Sequence, residues 1–535
     1  MAAIVAGLAA VAALAVGVGP ASAGAVRAQT TGPDPAGPDV QPAPKAVCRP
    51  GSNPESGTQG RVPQSEIDSG RAAQGYSCNT VLLGRAGNPS SGGAGGYKVA
   101  RYVDKAGNEC GFYDTTLLFP ANAVNLSSGD LTGVAVLDMK DPTKPTRVTT
   151  LVTPAMQSPH ESLALNQKRG LLAAVTGNPV FYPGIVDIYD VSENCLAPTL
   201  KASAPVGVLG HESGWAPDGN TFYVASLSGR TVTAIDTKDP TLPVPLGVYD
   251  FNSHGINVSD DGNRLYMAAN GGADSNSPKG LVILDTSEIQ SRKLNPQVKV
   301  VTKYSWATVS TPQINVPVTI DGTPYLVEMD EFGSGGKVGA ARIIDITDDT
   351  KPRVVSNIRL EVNQKANQEG EQISDAGADS GLQGYDGHYC EVPQRVDPGI
   401  VACTFILSGL RVFDIRDPLN PREIAYYNGP VNGSSYAMSS PTFVPERGEI
   451  WYSDGNSGFY AVRLTNGVWP FTSALEPDPA AAAAAGAPGA AAGATAGRRS
   501  SAPGGQLPAT GPILSVLAGV LALAGGLGLR RLRRA

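Results

Sequence analysis

Along the middle of the chain, short apolar runs alternate with polar positions at a period of two and are broken every few residues by Gly- and Asp-rich turns. In "APDGNTFYVAS" and "SDDGNRLYMAA", a run is followed by a turn containing Gly and then by alternating aromatic and aliphatic residues, the pattern of a β-hairpin. A second pattern follows each hairpin. Seven segments align beneath one another: "GVAVLDMKDPTKP", "GIVDIYDVSENCLAP", "TVTAIDTKDPTLP", "GLVILDTSEIQ", "ARIIDITDDTKP", "LRVFDIRDPLNP" and the degenerate "GFYAVRLTNG". In six of them a β-branched run ends in an aspartate: Asp138, Asp190, Asp236, Asp285, Asp345 and Asp414. These lie about 45 to 70 residues apart, the length of one four-stranded unit with insertions.

Each unit therefore predicts four strands. The third ends at the aspartate, and the fourth follows a turn that is often Asp-Pro-x-x-Pro. One such sheet cannot bury both faces, so the units must stack in a ring. The fold class expected is all-β, a seven-bladed β-propeller over residues 77–473. The last unit lacks a fourth strand, and "SCNTVLLG" at Ser77–Gly84 is left over; it is expected to close the ring by completing the last blade. The repeated aspartates are expected to accept hydrogen bonds from the turn that follows, since no calcium-loop ligand pattern accompanies them. The segment "G-[LI]-x-[VI]-[FLI]-D-[IT]-x-DP-x-x-P" is similar to the LVIVD-repeat family of bacterial β-propellers, and the "PDGNTFYVAS" hairpins resemble the YVTN-type repeat. That resemblance implies the fold and is nearly silent on activity.

The flanks differ from the core. Residues 24–76 and 474–506 are rich in Pro, Gly and Ala without apolar periodicity and read as disordered linkers, the second as a spacer through the cell wall. Residues 1–23 form an apolar run ending in Ala21-Ser22-Ala23, the pattern of a secretion signal peptide. Residues 507–535 resemble the LPxTG sortase cell-wall sorting signal of Gram-positive bacteria. Leu507, Pro508, Ala509, Thr510 and Gly511 precede an apolar stretch at 512–529 and a tail with Arg530, Arg531, Arg533 and Arg534. The apolar stretch, about 18 residues, is long enough for a transmembrane segment, and the arginines hold the tail in the cytoplasm. The resemblance implies cleavage after Thr510 and attachment to peptidoglycan, with sortase and peptidoglycan as partners and the membrane engaged only transiently. The expected location is extracellular, in the cell wall.

Composition adds three points. A formal charge of −7 gives no reason to expect nucleic acid as a partner. Six cysteines suit an oxidising exterior. Cys390 and Cys403 flank a short turn and are a candidate disulfide; Cys48, Cys78, Cys110 and Cys195 allow three pairings among themselves.

Only four histidines occur in 535 residues, and each falls at the same point of the repeat. His211 and His254 lie eight residues before the hairpin glycines Gly219 and Gly262, while His160 and His388 lie ten and eleven before Gly170 and Gly399. All four open an innermost strand, in blades two, three, four and six. The matching sites in blades one, five and seven are Val99, Pro312 and Ser440, which leave gaps in the ring. Such strands begin at the central funnel, so four imidazoles converging there with room beside them describe a site for a single metal ion, iron, copper or zinc.

Two other readings stand beside it: a structural ring of hydrogen-bonded imidazoles copied by duplication, and a metal-free ligand pocket. Glu161 and Glu212 follow two of the histidines and are candidates to orient an imidazole of an adjoining blade, with solvated carboxylates as the alternative. The carboxylates of Glu328–Lys337, in the blade that lacks a histidine, either supplement a metal site or solvate a long loop, and the loop is the preferred reading; Trp215 is read as core rather than funnel lining. The insertion Glu361–Gly387, ending at His388, is the best candidate for controlling access. At the level of fold, the arrangement resembles the non-haem iron centre of carotenoid-cleavage oxygenases and the metal site of selenium-binding-type propellers, which points to oxidative chemistry. The competing function is a non-enzymatic surface scaffold or binding protein whose propeller face takes a small-molecule, protein or glycan ligand.

Overall fold

A computed structural model describes residues 41–87, 95–116, 132–177, 184–227, 230–271, 278–332, 339–364, 367, 375, 384–430 and 435–471. All of them belong to one compact unit, Met1–Ala480. The segments expected to be a signal peptide, a wall spacer and a sorting motif, and most of the Glu361–Gly387 insertion, lie outside the described residues. Among the described residues, no helix is long and apolar enough to cross a membrane.

Seven antiparallel sheets make a seven-bladed β-propeller. The innermost strands are Val99–Val103, Ala164–Asn166, Ser213–Trp215, Ser253–Val258, Pro312–Ile320, Gly387–Glu391 and Thr442–Val444, from blade one to blade seven. Burial follows position in the blade. Second and third strands such as Leu171–Val175 and Val186–Asp190 are buried almost throughout, because each blade is covered on both faces by its neighbours. Outermost strands such as Thr146–Leu151 and Val244–Asp250 are mostly exposed; Thr146–Leu151 carries threonines and an arginine, and Pro245 interrupts Val244–Asp250, both of which blunt a sheet edge. The core is therefore a set of layers between blades: Tyr223 and Val232 of blade three, for instance, pack in one cluster with Ile256, Leu265 and Val282 of blade four.

The six repeated aspartates act as turn acceptors. Each carboxylate takes the backbone N–H two residues on, from Lys140, Ser192, Lys238, Ser287, Thr347 and Arg416, at 2.8–3.1 Å. Beside each aspartate the pairing of third and fourth strands slips by one residue, as at Ala234/Ile235 and Ile283/Leu284. Such a bulge sharpens the local twist.

The ring closes through the N-terminal side of the chain. Thr80–Ala86 pairs with Gly458–Leu464 and supplies the fourth strand of blade seven. The segment expected to do this alone is split, however. Tyr76–Cys78 pairs instead with Arg422–Asn428 and adds a fifth strand to blade six. Asn79 makes the break with a φ of 53°, a left-handed conformation that asparagine tolerates. Its side-chain amide donates to the carbonyls of Val47 and Ile424, at 3.1 and 2.8 Å.

Residues 41–75 correct the linker expectation for that stretch: they pack onto blade six. Ala43, Val62 and Ala72 are buried there. The fully buried Arg411 pairs with Glu55 and, at 3.0 Å, with Glu423. Gln59 donates to Glu423 at 2.9 Å. Proline and glycine in this stretch make turns over a surface that its few apolar residues grip. Disulfides join Cys48 to Cys78, Cys110 to Cys195 and Cys390 to Cys403.

Candidate metal centre in the funnel

The four histidines come together at one mouth of the funnel, on blades two, three, four and six. Successive rings are close, with centroids 4.4 Å apart for His160 and His211 and 4.5 Å for His211 and His254. They surround one carboxylate. The Glu161 side chain lies 3.2 Å from His211 Nδ1, 3.4 Å from His388 Nε2, and 3.9 Å from both His160 Nδ1 and His254 Nε2. Glu331 adds a second carboxylate, 3.3 Å from His388 Nε2 and 3.6 Å from His254 Nε2.

Local backbone explains how each side chain reaches this point. His160 has a φ of 50°, a left-handed conformation that costs roughly 1 kcal/mol in a residue with a Cβ. A Cβ at Gly177 would lie 2.4 Å from that of His160, so a glycine there makes room for the ring. His254 donates Nδ1–H to the carbonyl of Pro312 at 2.7 Å, and His388 does the same to Met438. Both bonds reach a neighbouring blade, and both leave Nε2 facing the cluster.

Glu331 arrives from the end of a second strand, Thr323–Asp330. Asp330 beside it is clamped by Trp306 Nε1 and Arg342 Nη1, each at 3.0 Å, and the Glu331 N–H is held by the Thr311 carbonyl at 2.7 Å. This corrects the reading of the Glu328–Lys337 stretch as a solvated loop: Glu328, Asp330 and Glu331 are all buried.

A second tier lies beside the histidines, one residue further along the chain in each blade, at the start of the innermost strand or just before it. Glu161 accepts from Gln313 Nε2 at 2.5 Å, and Gln313 also donates to the Tyr389 hydroxyl at 2.8 Å. Glu212 does not face the histidine nitrogens; it takes Lys98 Nζ at 2.7 Å, and that ammonium sits 3.9 Å from the centre of the Tyr389 ring. Gly255 makes room for Glu212, since a Cβ there would lie 2.1 Å from its carboxylate.

The gaps expected in the ring are filled. Tyr97, two residues before Val99, places its ring 4.8 Å from His160 and 5.5 Å from His388, while Ser440 pairs with Lys98 in a backbone bridge. Pro312 contributes only its carbonyl. Trp215 packs on Phe222, half-buried, and its indole N–H reaches the Ala164 carbonyl.

Electrostatics divide the imidazoles. Burial, reinforced by the neighbouring His211, pushes His160 and His254 down to about 3. Burial also opposes charge on His388, yet Glu161 and Glu331 outweigh it and push that ring up to about 10. Glu161 is buried too, but His211 and His388 hold it well below the usual carboxylate range. Burial raises Glu212 to about 7 against the pull of Lys98. His160 Nδ1, His211 Nδ1 and His388 Nε2 are buried without a hydrogen bond of good geometry.

Among the described residues, two groups of His and Glu could hold a metal ion: His160, Glu161 and His211, and Glu161, Glu331 and His388. Buried nitrogens of this kind, next to carboxylates and without thiolates, suit a borderline divalent metal. Tyr97, Lys98, Gln313 and Tyr389 are not singled out as site residues by the sequence pattern, and Glu331 falls in the Glu328–Lys337 stretch for which the loop reading is preferred. The first four would follow from reading the repeat one column past the histidines and shifting blade one by two residues. Glu331 would follow from noting that a second strand ends at the mouth where the innermost strand begins.

No protein-family model matches the chain, and no curated protein sequence matches it significantly. Solved structures share the propeller fold at low similarity. The periplasmic gluconolactonase PpgL of Pseudomonas aeruginosa is 13% identical, with 62% of this chain and 92% of that one covered and a TM-score of 0.41. A putative 6-phosphogluconolactonase from Bacteroides fragilis is 12% identical over 62% of this chain and 90% of its own, with a TM-score of 0.40. Hydrazine synthase of Kuenenia stuttgartiensis is 14% identical over 69% and 95%, with a TM-score of 0.43. At this distance the likeness is one of fold.

Proposed function

We propose that this chain is a secreted, peptidoglycan-anchored β-propeller that binds iron, copper or zinc in its funnel through His160, His211, His254 and His388, with Glu161 and Glu331 as further ligands. The observation that carries the metal reading is the convergence of four imidazoles from four blades on one buried carboxylate, with three ring nitrogens lacking a hydrogen bond of good geometry. A purely structural ring would satisfy those nitrogens, because a buried polar atom without a partner costs about 1–3 kcal/mol. A bound cation would take them up.

His160 and His211 keep side-chain exposures of 14% and 13%, so the cluster is reached from the side of blades two and three. An imidazole–carboxylate centre with one accessible edge suits oxidative chemistry on a small molecule if the ion is iron or copper. Secretion and anchoring rest on the apolar N-terminus, the Leu507–Gly511 motif and its basic tail, and three disulfides with no free cysteine among the described residues fit that location.

The test is elemental analysis of the full chain, purified in mild detergent without an added histidine tag, beside a His211→Ala/His254→Ala variant. The parent is expected to hold at least about one metal ion per chain, and the variant at least tenfold less. A parent that stays metal-free after incubation with iron, copper and zinc would leave the scaffold reading in its place.

A further inference from the structure

The cluster holds more donors than a four-coordinate ion needs, and they fall into two sets. One ring nitrogen each of His160 and His211 and a Glu161 oxygen lie within 4.8 Å of one another, as do a His388 ring nitrogen, a Glu331 oxygen and a Glu161 oxygen. Glu161 alone belongs to both. The nearest histidine nitrogen to each of its oxygens comes from a different set, His211 at 3.2 Å from Oε2 and His388 at 3.4 Å from Oε1, while His254 stands 3.9 Å from Oε2 and His160 3.9 Å from Oε1.

Adjacent donors around one ion at about 2.1 Å stand roughly 3.0–3.5 Å apart. The His211–Glu161, His388–Glu161 and His388–Glu331 distances, 3.2, 3.4 and 3.3 Å, are all edges of that length. His254 Nε2, 3.6 Å from Glu331, stands beside the second set as a fourth donor. The sets also differ in depth: His160 and His211 are 14% and 13% exposed, against 3%, 0% and 7% for His254, His388 and Glu331.

We infer that the funnel holds two divalent transition-metal ions bridged by Glu161, an outer one on His160 and His211 and an inner one on His254, His388 and Glu331. This rests on the metal-binding reading and extends it from one ion to two. Two ions sharing a carboxylate can stabilise the attacking and the leaving oxygen of one displacement on separate cations. The outer ion, nearer solvent, exchanges faster than the inner.

The experiment is a Co²⁺ titration of the metal-stripped full chain, followed by visible absorption, with the Zn²⁺ content of a parallel sample counted by elemental mass spectrometry. The pair predicts two equivalents, one lost to a chelator at least tenfold faster than the other. The His160→Ala/His211→Ala variant, altered where the side chains reach the surface, is expected to keep one equivalent, the slow one. Glu161→Gln, checked for native circular dichroism, is expected to weaken the second equivalent at least tenfold. One equivalent in the parent would overturn the pair and leave the single-metal reading standing; none would overturn both. Two equivalents of parental affinity in Glu161→Gln, or a His160→Ala/His211→Ala variant that keeps both or neither, would equally contradict the bridged arrangement.

Discussion

At the scale of single residues, Lys98 shows how the funnel tolerates so much buried charge. Its ammonium is the cation paired with Glu212 at 2.7 Å, where both side chains are largely out of water. Removing one partner of such a pair leaves the other uncompensated, at a cost of about 3–5 kcal/mol. Lys98→Met is therefore expected to lower unfolding free energy in denaturant by about that much, and Lys98→Met/Glu212→Gln to recover most of it. A loss under about 1 kcal/mol at a pH well above 7 would show that Glu212 loses its charge or gains water once the ammonium is gone, and that the pair is not a strong one. The histidines were legible in the sequence because the residue is rare and each copy sits at one phase of a repeat. Glu161 was legible as a neighbour of the site, but not as the residue all four rings surround: strand alternation would turn it away from His160, and the left-handed φ at His160 breaks that alternation. Tyr97 was displaced to Val99 because the glycine-rich run before blade one gives no alternating pattern to align on.

At the scale of the element, the turn after each third strand is a repeated electrostatic device. Asp414 shows its pH consequence. Burial alone would raise its pKa, but Arg416 and Arg422 overcome burial and pull it to about 2. A depressed carboxylate contributes stability that is fully present above its unfolded value near 4 and is lost as pH falls through the folded value near 2. Both arginines are well exposed, so the contribution is about 1 kcal/mol after screening. Asp414→Asn is expected to be less stable than the parent at pH 6, with the difference shrinking below pH 4 and vanishing near pH 2. Chemical denaturation across that range measures it, and a gap that does not change with pH would refute the assignment. These turns were readable because local hydrogen bonding determines them. The division of residues 76–86 between two blades was not, because it depends on which sheet edge lies within reach on either side of Asn79.

At the scale of the whole molecule, seven repeats stacked in a ring follow from sheets that are apolar on both faces, and so the propeller was visible in the repeat alone. The packing of residues 41–75 on blade six was not, because composition reports flexibility and misses a few well-placed contacts. The Cys48–Cys78 disulfide ties that segment to the strand that precedes ring closure, over a separation of 30 residues. Closing a loop of this size restricts the unfolded chain by about 3–4 kcal/mol. Cys48→Ser/Cys78→Ser is expected to lower stability by about that amount without changing the far-ultraviolet circular dichroism; loss of the fold's spectrum would mean that the segment is needed to close the ring at all.

What the ring accomplishes is to bring four distant histidines to one carboxylate, and anomalous diffraction from crystals of the metal-loaded protein at the absorption edge of its ion tests that claim most directly. The account predicts a peak in the funnel about 2.0–2.2 Å from His211 Nδ1 and a Glu161 oxygen. A well-ordered His160–Glu161–His211–His388 cluster with no peak, its imidazoles hydrogen-bonded to protein or water instead, would contradict it.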